Sequence, residues 1–285
     1  RCYSFDLAVS PHAQAFSYQD YLGNEVHHFD IPGYHDRLTL EARALVELPP
    51  PESPPDDLPM DTWETLDALW EDGEHLDMTL PSTFARPSAA LHTFIDELDW
   101  TRRTDPLRLL RELNQRIYET FAYSSEATHV HSPIDDALAS RGGVCQDFAH
   151  LFIALARHLR IPCRYVSGYL FYQRDGSSKD RSAEDESHAW VETYLPGLGW
   201  VGFDPTNNIL AEERHIRVAL GRDYADVPPT RGVYKGSSGS TLRVGVHVAE
   251  ATFAGTADVR PDLALVTHAD ARDPEPAPQQ SQQQQ

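Results

Sequence analysis

The stretch RGGVCQDFAHLFIALARHLRIPCRYVSGYLF, residues 141–171, decides the local architecture of this chain. After Cys145, apolar residues recur at helical spacing and the pattern stops before Pro162. The residues on this face are Phe148, Leu151, Phe152, Leu155 and Leu159. The segment CRYVSGYLFY then changes to the pattern of a strand. The sequence therefore predicts a helix that begins at Cys145, buries its apolar face and is followed by a strand.

Two further strands are predicted after this unit. SHAWVETYL, residues 187–195, and GWVGFD, residues 199–204, are separated by a short turn around Pro196 and Gly197. A turn this short predicts an antiparallel hairpin. His188 opens the first strand and Asp204 ends the second, so pairing would bring the two side chains together.

Cys145 is a candidate nucleophile because of its place in the predicted helix. Unpaired backbone N–H groups and the positive end of the helix dipole in the first turn both stabilise a thiolate. The glycines at 142 and 143 leave the approach to the sulfur uncrowded. Taken alone, a small buried packing residue is the commoner role for such a cysteine. His188 could equally be an ordinary strand histidine and Asp204 a turn residue, but a thiolate needs a base and a group that orients it, and the chain supplies both.

The rest of the chain predicts four regions. Residues 1–50 alternate as strands at Tyr3–Val9 and Leu38–Leu48, with a turn at Gly23-Asn24, and form an N-terminal β domain. Residues 51–100 hold an acidic, proline-rich break and helices, and the break is taken as a domain boundary. Residues 101–250 form the core, with a late strand at Leu242–Val248. Residues 251–285 end in glutamines and are predicted to be disordered.

Helical spacing predicts three helices before the core helix. Their apolar positions are Trp63, Leu66 and Leu69 or Trp70, then Leu91, Phe94, Ile95 and Leu98, then Leu110, Leu113, Ile117 and Phe121. Asp105-Pro106 suits the N-cap and first turn of the third. A shorter helix is predicted from Ser132-Pro133 to Gly142-Gly143.

Composition excludes several classes of partner. The chain has 285 residues, 40% of them hydrophobic, which is enough for a substantial core. A net charge of −20 argues against nucleic acid or an anionic membrane surface as the main partner. Part of this charge is local, since eleven acidic and no basic residues lie between Ala44 and Ala85. No apolar run is long enough to span a membrane.

The cysteine count bears on the compartment. The cysteines at 2, 145 and 163 cannot form a disulfide framework, and an odd count favours a reducing compartment, so cytoplasm is predicted. The chain begins at Arg1 and not at methionine, so a removed leader stays open.

GGVCQDFAHLFIALARHLRIPCRYVSGYL and SHAWVETYLPGLGWVGFDPTNN, in this order, strongly resemble the transglutaminase-like superfamily. The resemblance spans roughly residues 107–208, and Cys163 departs from the alanine common there. YQDYLGNEVHHFDIPGYHDRLTLEARALVEL resembles the N-terminal domain of the bacterial members, and GRDYADVPPTRGVYKG resembles their tail. The resemblance implies an α+β, papain-like core behind an N-terminal β domain.

The resemblance also implies a chemistry. It places the nucleophile on Cys145, the histidine on His188 and the aspartate on Asp204. These residues would act on an amide or peptide bond of a peptide or protein substrate through a thioester, without a cofactor. The Cys145 N–H is expected to hold the oxyanion with a second donor, for which Tyr123 and Trp100 are candidates, although core packing is the more expected role of each.

Other titratable residues carry weaker signals. Asp147 is expected to complement the helix dipole and not to titrate the thiol. His150 and His158 are expected on the surface or behind the site. His129 and His131, on an alternating strand face, and the pair His27-His28 are weak candidates for a metal because no third ligand stands near. No phosphate-binding glycine loop, nucleophile-elbow serine or zinc-protease motif occurs, so no metal site or cofactor is predicted.

Three functions remain open from the sequence. Hydrolysis of an amide or peptide bond, as in a candidate cysteine protease, is favoured on the family resemblance over protein cross-linking by acyl transfer. A non-catalytic module that binds a peptide or protein is the third, motivated by the acidic segment and the β domain. The polar loop from Gln173 to Glu186 is predicted to be mobile and to border the substrate cleft. Substrate identity and oligomeric state are not predicted.

Overall fold

The structure is a computed structural model that describes residues 1–50, 53–172, 180–182, 186–236 and 241–251. The chain divides into two compact units, 1–249 and 250–285. All the helices and strands of the described residues lie in the first unit. Most of the predicted loop at 173–186 and nearly all of the predicted tail fall outside the described residues. The division into domains predicted above stays a prediction.

The N-terminal region forms two antiparallel pairs of strands. The longer pair joins β1 (Cys2–Ser10) to β4 (Thr39–Val46), as the alternating pattern predicts. The shorter pair, β2 (Phe16–Gln19) and β3 (Glu25–His28), was not predicted, because four residues give too little alternation to recognise. Its turn contains the predicted Gly23, at φ 84°.

The predicted helices are present. They are α1 (Thr62–Glu71), α2 (Ala89–Leu98), α3 (Pro106–Thr120), α4 (Ile134–Ser140) and α5 (Cys145–His158). Asp105 caps α3 as predicted, because its carboxylate accepts the Arg108 N–H at 3.0 Å while Pro106 occupies the first turn. A short 3₁₀ turn, Leu76–Met78, follows α1.

A five-stranded antiparallel sheet carries one wall of the core. Its order is β10-β9-β8-β7-β11, with β7 Cys163–Leu170, β8 His188–Leu195, β9 Gly199–Asp204, β10 Ile209–Leu210 and β11 His215–Gly221. α5 packs against β7 and β8 and is buried on every side, since its residues from Gln146 to Arg157 are all buried. The sequence predicted burial of one face only. α5 is therefore the centre of the core.

The sheet register places the ends of two strands side by side. β8 and β9 form the predicted hairpin, with Tyr194 opposite Trp200 and a turn that contains Gly197 at φ 82°. His188, at the open end of β8, therefore lies near Asp204 at the end of β9. A separate two-residue pair joins β5 (Ala122–Tyr123) in parallel to β6 (Gly142–Gly143), directly before Cys145.

One predicted strand is wrong. Residues Leu242 to Val248 alternate as a strand would, but residues 241–251 adopt no regular secondary structure. Leu242 is 78% exposed and Val244 is 72% exposed. Alternation stabilises a strand only where a neighbouring strand supplies hydrogen bonds and a buried face, and no strand of the described residues pairs with this segment.

We expect Gly168→Ala to destabilise the fold at the site end of β7. Gly168 lies opposite His188 in the sheet, and a Cβ there would stand 2.2 Å from the Ile216 carbonyl oxygen and 2.5 Å from the Trp190 ring. Because one contact is with backbone, relaxation is limited, and the loss should reach the upper end of about 1–3 kcal/mol or exceed it. Urea unfolding measures it. Gly33→Ala, where a Cβ meets nothing within 4 Å, is the matched control; equal losses in both variants would contradict the prediction.

Among the described residues, no helix has both the length and the apolar character needed to cross a membrane.

Candidate active site

Cys145 occupies the first position of α5, as predicted, with Val144 as the N-cap residue. The Asp147 carboxylate accepts the Val144 N–H at 2.9 Å and the Thr128 hydroxyl at 2.5 Å. Asp147 therefore caps the helix, in agreement with its predicted role at the dipole. Gly143 is required here because a Cβ would stand 2.6 Å from an Asp147 carboxylate oxygen. Cys145 itself stays partly exposed, while the residues that follow it from Gln146 to Arg157 are buried.

His188 and Asp204 are in direct contact. The Nε2 atom of His188 lies 2.7 Å from Oδ2 of Asp204, and both side chains are at most 1% exposed. The same Oδ2 accepts Nδ2–H of Asn207 at 2.8 Å and lies 3.1 Å from Nε2 of His215. Oδ1 accepts the backbone N–H groups of Thr206 and Asn207 at 3.0 and 3.2 Å. This shell of donors fixes the carboxylate in place.

The second ring nitrogen of His188 is free to exchange a proton. Nδ1 is buried and hydrogen-bonds to no other described residue. The Cys145 side chain nevertheless interacts with this ring and contributes to its high pKa. Because Asp204 binds Nε2, Nδ1 is the ring nitrogen that can exchange a proton with the Cys145 thiol. The ring also stacks on Trp190, with the ring centroids 6.1 Å apart.

The charges of the pair stabilise each other. Burial alone would lower the pKa of His188, but the charge and hydrogen bond of Asp204, together with Cys145, raise it to about 10. Burial alone would raise the pKa of Asp204, but the charge and hydrogen bond of His188, followed by those of His215, hold it well below its usual range. At neutral pH the structure therefore contains an imidazolium beside a carboxylate.

We expect this pair to shape the dependence of stability on pH. The contribution of Asp204 is present above the pKa of an unfolded aspartate, about 3.9, and is lost as the pH falls. The contribution of His188 is complete below pH 6.5 and is lost as the pH rises towards about 10. The pair should thus contribute most between about pH 4 and 6.5, and its part should then decline by at most about 1.4 kcal/mol per pH unit. Urea unfolding at several pH values measures this. His188→Gln should flatten the decline above pH 6.5; the same slope in both proteins would refute the assignment.

His215 belongs to the same cluster and was missed by the sequence analysis. It begins β11, a strand far along the chain that pairs with β7, and only this pairing brings it to Asp204. The sequence offered no spacing signal for it, because His215 lies eleven positions after Asp204, beyond a turn. Asn207 lies within the family-like segment 187–208, but its contact with Asp204 was not predicted.

The cluster meets the distance requirement of a metal site. One ligand atom from each of His188, Asp204 and His215 lies within 4.8 Å of the others, and all three residues are buried. However, Oδ2 of Asp204 already binds both imidazoles and Asn207. A cation at this point would displace these hydrogen bonds. The donor set therefore fits a hydrogen-bonded triad better than a metal centre.

The two candidates for a second oxyanion donor differ. The Trp100 indole N–H donates to the Leu155 carbonyl at 2.9 Å and the ring is buried, so Trp100 packs the core. Tyr123 is half-buried, and its hydroxyl hydrogen-bonds to no other described residue. Burial raises the pKa of Tyr123, and Cys145 is the next contributor. Of the two, Tyr123 is the one whose hydroxyl no described residue binds and whose pKa responds to Cys145.

The other histidines lie apart from this cluster. His158 is exposed and His150 is fully buried, so of the two expected positions, on the surface or behind the site, His150 does not occupy the first. The His150 ring stacks on Phe84 at 5.2 Å and accepts the Tyr224 N–H at 3.2 Å, and burial lowers its pKa to about 3. His129 and His131 lie in an exposed turn and not on a strand, so the alternating face predicted for them is wrong.

The described histidines at 27, 28, 129 and 131 join no group of three potential ligands. His27 instead packs its ring against Phe5 at 4.9 Å.

Comparison with known proteins agrees with this architecture. Residues 99–205 match the model of the transglutaminase-like superfamily, and residues 1–47 match that of the bacterial transglutaminase-like N-terminal region. A solved structure from Cytophaga hutchinsonii, described as a candidate cysteine protease, superimposes with a TM-score of 0.57 at 22% identity. The superposition covers 80% of this chain and 73% of the chain in that structure. This likeness shows the α+β, papain-like fold.

Relatives are found by sequence as well. An uncharacterised protein of Mycobacterium tuberculosis is 34% identical over 87% of this chain and 82% of its own length. An uncharacterised protein of Mycobacterium leprae is 32% identical over 84% of this chain and 82% of its own length. A protein-glutamine γ-glutamyltransferase of Pseudomonas aeruginosa is 31% identical over 46% of this chain and 21% of its own length. With both family regions matched in order, the chain belongs to the transglutaminase-like superfamily.

Proposed function

We propose that this protein is a cysteine enzyme that acts on an amide or peptide bond, with Cys145 as nucleophile, His188 as acid and base, and Asp204 as the group that orients the histidine. The observation that carries the proposal is the 2.7 Å contact between His188 and Asp204 at a ring that also interacts with Cys145. Members of the superfamily are typically cysteine-dependent enzymes, which supports the same assignment.

The geometry supports a reaction in two halves. The Cys145 sulfur forms a bond to the substrate carbonyl carbon, and the leaving amine takes the proton from His188 as its C–N bond breaks, which leaves a thioester. Water then attacks the thioester carbonyl and gives one proton to His188, and the C–S bond breaks to release the acid and the Cys145 thiolate. Asp204 orients the neutral ring and stabilises the imidazolium that forms at the start and end of the cycle. The charged oxygen is held by the Cys145 N–H, at a helix start where such groups lack a partner in the helix, and by the Tyr123 hydroxyl.

Hydrolysis is the favoured outcome, on the resemblance to candidate cysteine proteases. Acyl transfer to an amine is the second candidate, because one relative, 31% identical over 46% of this chain, is a protein-glutamine γ-glutamyltransferase. Both outcomes share the thioester and differ only in whether water or an amine attacks it. The substrate of either is proposed to be a peptide or protein.

Product identity tests the proposal. A diverse peptide mixture is incubated with the protein and a primary amine, and the products are identified by mass spectrometry, with Cys145→Ser as the blank. New peptide termini would show a protease. Glutamines converted to glutamates would show an amidase, and amine adducts would show a transferase. A spectrum equal to the blank, with the peptides bound but unchanged, would contradict the proposal and favour a binding module.

A further inference from the structure

We propose that His215 is a positioning residue that holds Asp204 through a neutral imidazole and shares the negative charge that Asp204 presents to His188. The inference rests on the proposed function, because it concerns how the same cysteine–histidine pair is tuned. Nothing in the sequence motifs points to this residue, and its role follows from its contacts.

The backbone identifies which nitrogen of His215 carries the proton. The Glu212 N–H donates to Nδ1 of His215 at 3.3 Å, so Nδ1 has to accept and the proton lies on Nε2. Nε2 then donates to Oδ2 of Asp204 at 3.1 Å. His215 is thus a neutral donor with both ring nitrogens in use, and no other tautomer satisfies both contacts.

The residues around His215 keep its imidazole neutral and hold the ring in one position. Its side chain is 3% exposed, and the edge of its ring meets Trp190 with centroids 5.0 Å apart. Trp190 also stacks on His188, so one indole supports both histidines. Burial lowers the pKa of His215, and the positive charges of His188 and Arg214 act in the same direction, against the pull of Asp204. A second imidazolium here would bring a second positive charge to one buried carboxylate.

Among the described residues, few charged or titratable groups face this cluster. α5 contributes Cys145, the end of β9 contributes Asp204, and the start of β11 contributes His215 with Arg214 beside it. Tyr123 of β5 and Tyr172, after β7, also lie near, since both feel the charges of Cys145 and Asp204. His188 therefore has Asp204 as its main anionic partner, and the donors to Asp204 control how strongly it acts.

The hydrogen bond from His215 to Asp204 should have a predictable effect on the pKa of His188. Each hydrogen bond to Oδ2 withdraws part of the charge that attracts the His188 proton. Removing the His215 donor should leave Asp204 a stronger acceptor, so that His188 keeps its proton to higher pH and gives it up less readily to the leaving group. A residue that only filled space would not shift this proton equilibrium upwards.

The test compares two variants of the full chain in a Cys2→Ser background, which removes the exposed cysteine; Cys163 is buried. His215→Phe keeps a ring of similar size without a donor, and His215→Gln restores a neutral donor and acceptor. Alkylation of Cys145 by iodoacetamide is followed from pH 5 to 11, and the alkaline inflection that His188→Ala abolishes reports the His188 proton. Peptide turnover is measured in parallel for the Cys2→Ser parent and its His215→Phe and His215→Gln variants. Thermal unfolding verifies that each variant is folded.

His215→Phe should raise the alkaline inflection by about half a unit to one pH unit and lower kcat/KM about 10- to 100-fold. His215→Gln should bring both values most of the way back. An inflection that is unmoved or lowered in the phenylalanine variant, or equal losses in both variants, would overturn the proposal. If the parent protein shows no inflection that depends on His188, the proposed function fails and this inference fails with it, so the two failures are told apart by the parent alone.

Discussion

Cys145→Ser should lower kcat on the order of 10⁴- to 10⁶-fold. The hydroxyl fits the same space at the start of α5, but an alcohol is a far weaker nucleophile than a thiolate and needs a stronger base to activate it. His188 is already held as an imidazolium by Asp204 and is poorly placed to act as that base. Steady-state turnover of whichever peptide the product analysis identifies gives the measurement.

The other cysteines provide matched controls. Cys2→Ser removes an exposed thiol and should leave both activity and stability unchanged. Cys163→Ser places a hydroxyl at a position with no exposed surface, so it should lower stability while activity per folded molecule stays the same. A loss of turnover in Cys2→Ser equal to that in Cys145→Ser would remove Cys145 from the role of nucleophile.

Asp204→Asn should lower kcat about 10³- to 10⁴-fold and cost about 3–5 kcal/mol of stability. Both carboxylate oxygens accept N–H groups, so an amide NH₂ at either position meets a donor instead of an acceptor. The His188 imidazolium also loses its anionic partner, so the pKa of His188 should fall. The Cys145 thiol should then lose the positively charged ring beside it. Turnover and urea unfolding on the same preparation measure the two effects.

Asp67→Asn is the matched control for this variant. It removes a carboxylate that pairs with Arg102 at 2.7 Å, outside the site and more exposed to solvent. Its effect on stability should be within about 1 kcal/mol and its effect on turnover negligible. Wild-type turnover in Asp204→Asn would show that Asp204 has a structural role only.

Local sequence patterns predicted the frame of the site. The start of α5 at Cys145 follows from the change of pattern after the two glycines, and the β8–β9 hairpin follows from a turn of few residues between two alternating segments. Both are short-range features, in which neighbours along the chain decide the geometry. They are enough to place His188 beside Asp204.

Features that depend on distant partners were not predictable in this way. His215 reaches Asp204 only because β11 pairs with β7, and Trp190 supports both rings only because the sheet brings them to one face. The alternation at Leu242–Val248 failed for the converse reason, since the pattern was present and a pairing strand was not. A periodic pattern states which face an element could bury, and tertiary pairing decides whether it does.

The burial of α5 between Gln146 and Arg157 limits how this protein can change its substrate. Each of these residues is at most 8% exposed, so nearly every substitution among them alters the packing of the core before it alters the site. New specificity, whether selected in nature or engineered, has to be built into the surrounding segments that reach solvent near Cys145, such as those of Tyr123 and Tyr172. Substitutions that change substrate specificity are therefore expected in these exposed segments, while the helix that carries the nucleophile is constrained by the core.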